Sequence, residues 1–250
     1  MIAITHLPSP EMGQCQLTHL ERVPINSALA SRQHEDYRAA LATCGAIVVV
    51  LDTNLAHPDC VFVEDTAIVL DEVAIVTPMG TAARAAEPAG IEPELRKHRK
   101  IVRIERPASL EGGDVLRLGR TLYVGCSGRT NMAGVVALQQ AVERFGYRVV
   151  PTSVTGCLHL KTAATALPDD SLLVNPDWLS HDAFLGIERI NVVEPWSANV
   201  VRIGTNVIAS AAYPRTIELL RERGITVQTV NLSEFAKAEG AVTCLSLLIL

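Results

Sequence analysis

The stretch Val115-Leu116-Arg117-Leu118-Gly119-Arg120-Thr121-Leu122-Tyr123-Val124 reads as a β-hairpin, two short apolar runs joined by a Gly-Arg turn. The residues after it complete a unit. Asn131 to Phe145 has helical periodicity, with Val135, Leu138, Val142 and Phe145 on one face. Gly146 follows as the glycine that closes a helix. Tyr147 to Pro151 then supplies a third strand, and the unit is ββαβ.

The same unit recurs on both sides of this stretch. Ala67 to Leu70 and Val73 to Val76 flank a break at Asp71-Glu72, and an Ala-, Glu- and Arg-rich segment leads to a strand at Ile101 to Ile104. Val200 to Ile203, Gly204-Thr205 and Asn206 to Ala209 form another hairpin. A helix over Pro214 to Arg223, then Gly224, and a strand from Thr226 to Val230 follow it. A looser copy runs through Thr162 to Asn175, Pro176 to Phe184 and Ile190 to Val193. The chain ends supply the fifth: Thr243 to Leu250 as one strand, Met1 to Leu7 as its partner, a helix over Leu29 to Ala42 and a strand over Ile47 to Leu51. Repeats of roughly 40–50 residues indicate a repeat architecture. Five of them in 250 residues close into a ring rather than stack openly. No linker divides the chain, so residues 1–250 are expected to form one domain.

Composition narrows the function. The net charge is −5 and no basic block is present, which argues against a nucleic-acid partner bound through clustered Lys and Arg. Aromatic residues are only 4%, too few for base-stacking platforms. No apolar run approaches the roughly 20 residues that span a bilayer, and Met1 to His6 lacks the pattern of a signal peptide. The six cysteines show neither CxxC nor regular spacing. They read as reduced thiols of a cytoplasmic protein.

Reactive residue types stand just ahead of the hairpins. These are Val63-Glu64-Asp65, Leu110-Glu111-Gly112-Gly113-Asp114, Cys157-Leu158-His159-Leu160-Lys161, Ser197-Ala198-Asn199 and Gly240-Ala241-Val242-Thr243-Cys244. In a ring of equivalent units they converge on one end of the axis. After the hairpins come Arg84, Arg129 and Arg215, each near a helix start, where the macrodipole favours anions and not cations. A guanidinium fork there suits a carboxylate ligand. Acids for a cation and arginines for an anion imply a zwitterionic ligand, like an amino acid with a cationic side chain. A cysteine thiolate supplies a nucleophile and a histidine a proton carrier near neutral pH.

Taken in order, Asp59-Cys60-Val61-Phe62-Val63-Glu64-Asp65, Leu110 to Asp114, Gly128-Arg129-Thr130-Asn131, Leu158-His159-Leu160-Lys161, Ala212-Tyr213-Pro214-Arg215-Thr216 and Gly240 to Ser246 resemble the dimethylarginine dimethylaminohydrolase family. The resemblance covers nearly the whole chain. It implies an α/β fold, the five-bladed α/β-propeller of pseudo-fivefold ββαβ repeats, and hydrolysis of methylated arginine to citrulline. It implies Cys244 as nucleophile, His159 as general acid and base, and Glu111 as the acid that supports the histidine. Glu64 and Asp65 match the guanidinium end of the substrate. Asp59 and the main chain at Leu17 match the α-amino end, and Arg84 and Arg129 the carboxylate clamp. Leu17 to Pro24 match a mobile lid. Arg215 reads as structural, with Pro214 at the first helical position.

The expected partner is a small-molecule substrate, with no nucleic acid and no membrane, and the chain is a monomer or homodimer. No cofactor and no metal is expected, although Cys244 and His159 have the chemistry to hold adventitious zinc. Related arginine and agmatine deiminases typically carry His-x-Asp, whereas this chain has His159-Leu160-Lys161. Ala241 departs from relatives that have a second glycine there. The rivals are an arginine deiminase or other guanidine hydrolase of the same superfamily, and a non-catalytic binding protein of the same fold.

Overall fold

Each repeat folds into its own three-stranded sheet in the computed structural model, which describes residues 1–250. β1 (Ile2–His6) leads through α1 (Ser27–Thr43) to β2 (Ile47–Leu51), which pairs parallel to it. β3 (Ala67–Val69) and β4 (Val73–Val76) form a hairpin, and α2 (Glu87–Leu95) crosses to β5 (Lys100–Arg103), parallel to β4. β6 (Val115–Leu118) and β7 (Thr121–Cys126) repeat the pattern with α3 (Met132–Val142) and β8 (Arg148–Ser153). The short α4 (Leu160–Ala163) precedes β9 (Ala164–Ala166), β10 (Leu172–Val174) and β11 (Arg189–Asn191). β12 (Val201–Ile203), β13 (Asn206–Ser210), α5 (Pro214–Glu222) and β14 (Thr226–Val230) make the next blade. After α6 (Ser233–Ala236), β15 (Leu247–Ile249) pairs antiparallel with β1, so the two chain ends close the fifth blade.

The hairpin–crossover unit repeats because the same sequence device repeats. A hairpin cannot bury both faces alone, so the crossover helix covers one side and the neighbouring blade the other. In α3, Asn131 caps the N-terminus by accepting from Gly134 N at 2.8 Å. Val135, Leu138 and Val142 are buried on one face. The helix tightens into a single 3-10 turn at Glu143–Phe145 and ends at Gly146, whose φ of 77° suits glycine. Core side chains are divided among the blades. One cluster joins Ile4 and Leu247 to Val63, Ala74, Ile91 and Leu95 across two sheets. No helix is long and apolar enough to cross a membrane.

Two expectations are corrected. The third blade has no crossover α-helix, because Pro176–Trp178 forms only a single 3-10 turn, capped by Asn175. The chain there then runs through left-handed Phe184 (φ 60°) and Gly186 to β11. Thr243 to Leu250 is not one strand either: Thr243–Leu245 is a 3-10 turn and the strand begins at Leu247.

Candidate active site

Short helical turns assemble the site. In four of the five blades the first strand is preceded by a single helical turn: Val63–Thr66, Gly112–Asp114, α4 and Thr243–Leu245. Glu64 and Asp65 lie within the first, Glu111 and His159 are the N-cap residues of the next two, and Cys244 lies within the last. The turns pack on one another, so these side chains come to one end of the axis.

His159 Nε2 lies 2.7 Å from Glu111 Oε2. Glu111 is fully buried, and its other oxygen accepts from Gly80 N at 2.9 Å. Arg129 Nη1 stands 3.5 Å from that same oxygen. The second imidazole nitrogen, Nδ1, is 3.8 Å from Asp65 Oδ1, close enough for charge attraction but not for a hydrogen bond. Gly113 permits this crowding. A Cβ there would stand 2.6 Å from His159 Nδ1 and 2.8 Å from Asp65 Oδ1. At Gly112 it would stand 2.0 Å from the Glu64 carbonyl oxygen. The Gly-Gly pair is therefore needed for close approach.

Burial disfavours the imidazolium, but Asp65, Asp114 and Glu111 outweigh it and raise the His159 pKa to about 9. Burial opposes ionisation of Asp65 too, yet His159 and Arg84 hold its carboxyl below the ordinary value. Burial, reinforced by the negative charges of Glu64 and Asp65, pushes the Cys244 thiol up to about 12, with Lys161 pulling the other way. At neutral pH these shifts favour the neutral Cys244 thiol and the His159 imidazolium.

Lys161 Nζ donates to Glu64 Oε1 at 2.5 Å, and Thr243 Oγ1 donates to Glu64 Oε2 at 2.7 Å. Asn199 ties this layer together, donating to the Lys161 carbonyl and the Thr243 hydroxyl and accepting from Thr243 N. A cavity of about 460 Å³ runs from the hairpin-turn end of the axis, past Leu70, Gly119 and Gly204, to Glu64, Lys161 and Thr243.

The arginines behave differently from each other. Arg84 is buried and forks onto Glu87 through Nε and Nη2, onto Asp65 through Nη1 at 2.6 Å, and onto the Phe62 carbonyl. Four of its five N–H groups are spent, which leaves one on Nη1 for a ligand. Arg129 reaches the Thr18 hydroxyl at 3.1 Å through Nη2. Asp59 accepts from Gln16 N at 3.1 Å with both oxygens. Leu17, the next residue, packs at the edge of the core beside this contact. Arg215 is exposed, and its N–H donates to Glu194.

Several contributors had no sequence signal strong enough to assign them. Asp114 accepts from Ser127, Thr130 and Leu160 N, fixing the start of the His159 turn. Glu87 holds Arg84, and burial raises the Glu87 carboxyl to about 7. Asp65, Glu111 and His159 each place one ligand-type atom within 4.8 Å of the others. Two of them, Glu111 and His159, are within hydrogen-bond distance of each other at 2.7 Å. Cys244 is not in that group.

A five-bladed α/β-propeller with a cysteine, a histidine and carboxylates gathered at one axial end defines a pentein-type protein. Residues 14–231 match the family described as N,N dimethylarginine dimethylhydrolase, eukaryotic. The chain is 40% identical to an N(G),N(G)-dimethylarginine dimethylaminohydrolase of Streptomyces coelicolor, over 98% of this chain and 95% of that protein. It is 34% identical to the protein of that name in Pseudomonas aeruginosa, over 88% of each. A solved structure from Pseudomonas aeruginosa, a cysteine-to-serine variant complexed with citrulline, superposes with a TM-score of 0.94 at 32% identity, over 98% of this chain and 97% of the other. The chain belongs to the dimethylarginine dimethylaminohydrolase family.

Proposed function

We propose that this chain hydrolyses Nω,Nω-dimethyl-L-arginine to L-citrulline and dimethylamine, and the Nω-monomethyl compound to citrulline and methylamine. The observation that carries the reading is the buried Glu111–His159 hydrogen bond at the same axial end as the Cys244 thiol, which burial, reinforced by Glu64 and Asp65, keeps neutral. The named relatives support the substrate class, and a solved structure described as a dimethylarginine dimethylaminohydrolase adduct with S-methyl-L-thiocitrulline supports covalent chemistry.

The guanidinium of the substrate docks against Asp65 and Glu64. Its positive charge offsets the two carboxylates that disfavour the Cys244 thiolate, so binding lowers the thiol pKa and releases its proton to solvent. His159 stays protonated. Cys244 Sγ adds to the guanidinium carbon, and the C–N bond to dimethylamine breaks as His159 delivers its proton to the departing nitrogen. The thiouronium carbon now bears the sulfur. Neutral His159 takes a proton from water, the water oxygen adds to that carbon, and the C–S bond breaks. The departing sulfur takes up the remaining hydroxyl proton, which releases neutral citrulline and restores the thiol and the imidazolium. Glu111 keeps the imidazole oriented through both proton transfers.

Asp59 and the Leu17 carbonyl serve the α-amino group. Arg129, with the remaining N–H of Arg84, serves the carboxylate. Residues 1–250 act as one catalytic unit. The six unpaired cysteines fit a reducing, cytoplasmic compartment.

Acid quenching during turnover tests this. Mass spectrometry should find the thiouronium adduct on the peptide containing Cys244 and none in Cys244→Ser. Turnover without any adduct would refute the covalent route.

A further inference from the structure

Leu17 to Pro24 carry no helix or strand and little packing. Leu20 and Val23 are exposed, and beside Leu20 lies a cavity of about 230 Å³ lined by Leu158, Trp196, Tyr213 and Ala241. Polar ties therefore hold this segment in place. Gln16 N reaches Asp59, and Arg129 reaches Thr18. The densest tie is Glu239. Its carboxylate accepts from the N–H of Thr18 at 2.9 and 3.1 Å, His19 at 2.5 Å and Leu20 at 2.7 Å. Three successive main-chain donors thus converge on one anion, as in an anion-binding nest.

Glu239 itself is held in the left-handed region, with φ of 57°, where residues other than glycine, asparagine and aspartate are disfavoured. It stands in the strap that leads into Cys244. The next residue is pinned, because a Cβ on Gly240 would stand 2.4 Å from the Phe62 ring. Such backbone strain persists only where the surroundings over-determine it.

We propose that Glu239 is a positioning residue that latches the lid. It fixes the Leu17–Leu20 backbone so that the Leu17 carbonyl and the Thr18–Arg129 contact meet the two ends of the substrate's amino-acid group in register. The latch follows from the geometry alone, whereas its service to methylarginine rests on the function proposed above.

Glu239→Asn and Glu239→Gln in the full chain test it. Asn tolerates the left-handed conformation but is shorter and uncharged, and Gln keeps the reach with one acceptor oxygen. Amide hydrogen exchange without substrate should quicken at Thr18, His19 and Leu20 in Glu239→Asn, and less in Glu239→Gln. The KM for dimethylarginine should rise about tenfold in Glu239→Asn, with kcat within about twofold. Unchanged exchange in both variants overturns the latch. Faster exchange with an unchanged KM, or a loss confined to kcat, overturns the positioning role. If Glu239→Asn fails to fold by thermal melting, Glu239→Gln decides on the same readouts. A wild-type chain inactive on dimethylarginine refutes the proposed activity, and the exchange experiment still decides the latch.

Discussion

Lys161 places its ammonium 2.5 Å from Glu64 Oε1, so one of the two acids to which the proposed reaction assigns the guanidinium already carries a cation of its own. The pair sits on the layer that supports Cys244, and Lys161 is a charge that pulls the thiol pKa down. In Lys161→Met, Glu64 keeps only Thr243 as a side-chain partner. Leaving a buried carboxylate without its cation costs on the order of 2 kcal/mol here, discounted because Lys161 is partly exposed. The pH dependence of iodoacetamide labelling at Cys244 should shift to higher pH, and kcat/KM should fall at least tenfold.

Glu111→Gln removes the carboxylate that orients His159 and helps hold its proton. The expected outcome is a fall in kcat of about 10²-fold or more. The pKa governing the general acid should also move down from about 9 toward the ordinary histidine range. A pH–rate profile of the variant beside the wild type measures both.

Gly113→Ala tests the close approach directly. The added methyl stands 2.6 Å from His159 Nδ1, so the imidazole or the turn must shift. Activity should drop about 10²-fold from the misplaced histidine. The loss of stability should stay within about 1–3 kcal/mol, as for other overpacked sites. Parallel denaturant melts and kinetics separate the two effects.

The elevated His159 pKa also carries stability. The folded value of about 9 lies above the ordinary 6.5, so the folded state binds this proton more tightly than the unfolded chain. The contribution is complete below about pH 6.5 and is lost as pH rises through about 9. It amounts to on the order of 3 kcal/mol. Urea melts at pH 6 and pH 10 should show a smaller difference in His159→Asn than in the wild type.

The repeats were legible where glycine ended the turn and the helix, as at Gly119 and Gly146, both of which have positive φ. The third blade misled because Pro176 to Phe184 has no helical apolar period and relies on the Asn175 cap for a single turn. Cys244 was legible as a residue but was misread as part of a strand. Its 3-10 turn packs against the Val63–Thr66 turn, a partner distant in the chain that leaves no local pattern. Glu239 and Glu87 stayed hidden for a related reason. Glu239 binds Thr18, 221 positions away, and Glu87 depends on an arginine already pulled inward by Asp65. Neither relationship leaves a local pattern. The engagement of Arg84 with Asp65, Glu87 and the Phe62 carbonyl was equally hidden, since neither the resemblance nor the charge pattern shows which of its donors are already used.

The most direct test supplies purified protein with Nω,Nω-dimethyl-L-arginine or with L-arginine, and measures citrulline together with dimethylamine or ammonia. Cys244→Ser runs in parallel. The account predicts citrulline and dimethylamine in equal amounts from the methylated substrate, little product from arginine, and none from the variant. Turnover of arginine in preference to dimethylarginine, or methylarginine hydrolysis that survives loss of the thiol, would contradict it.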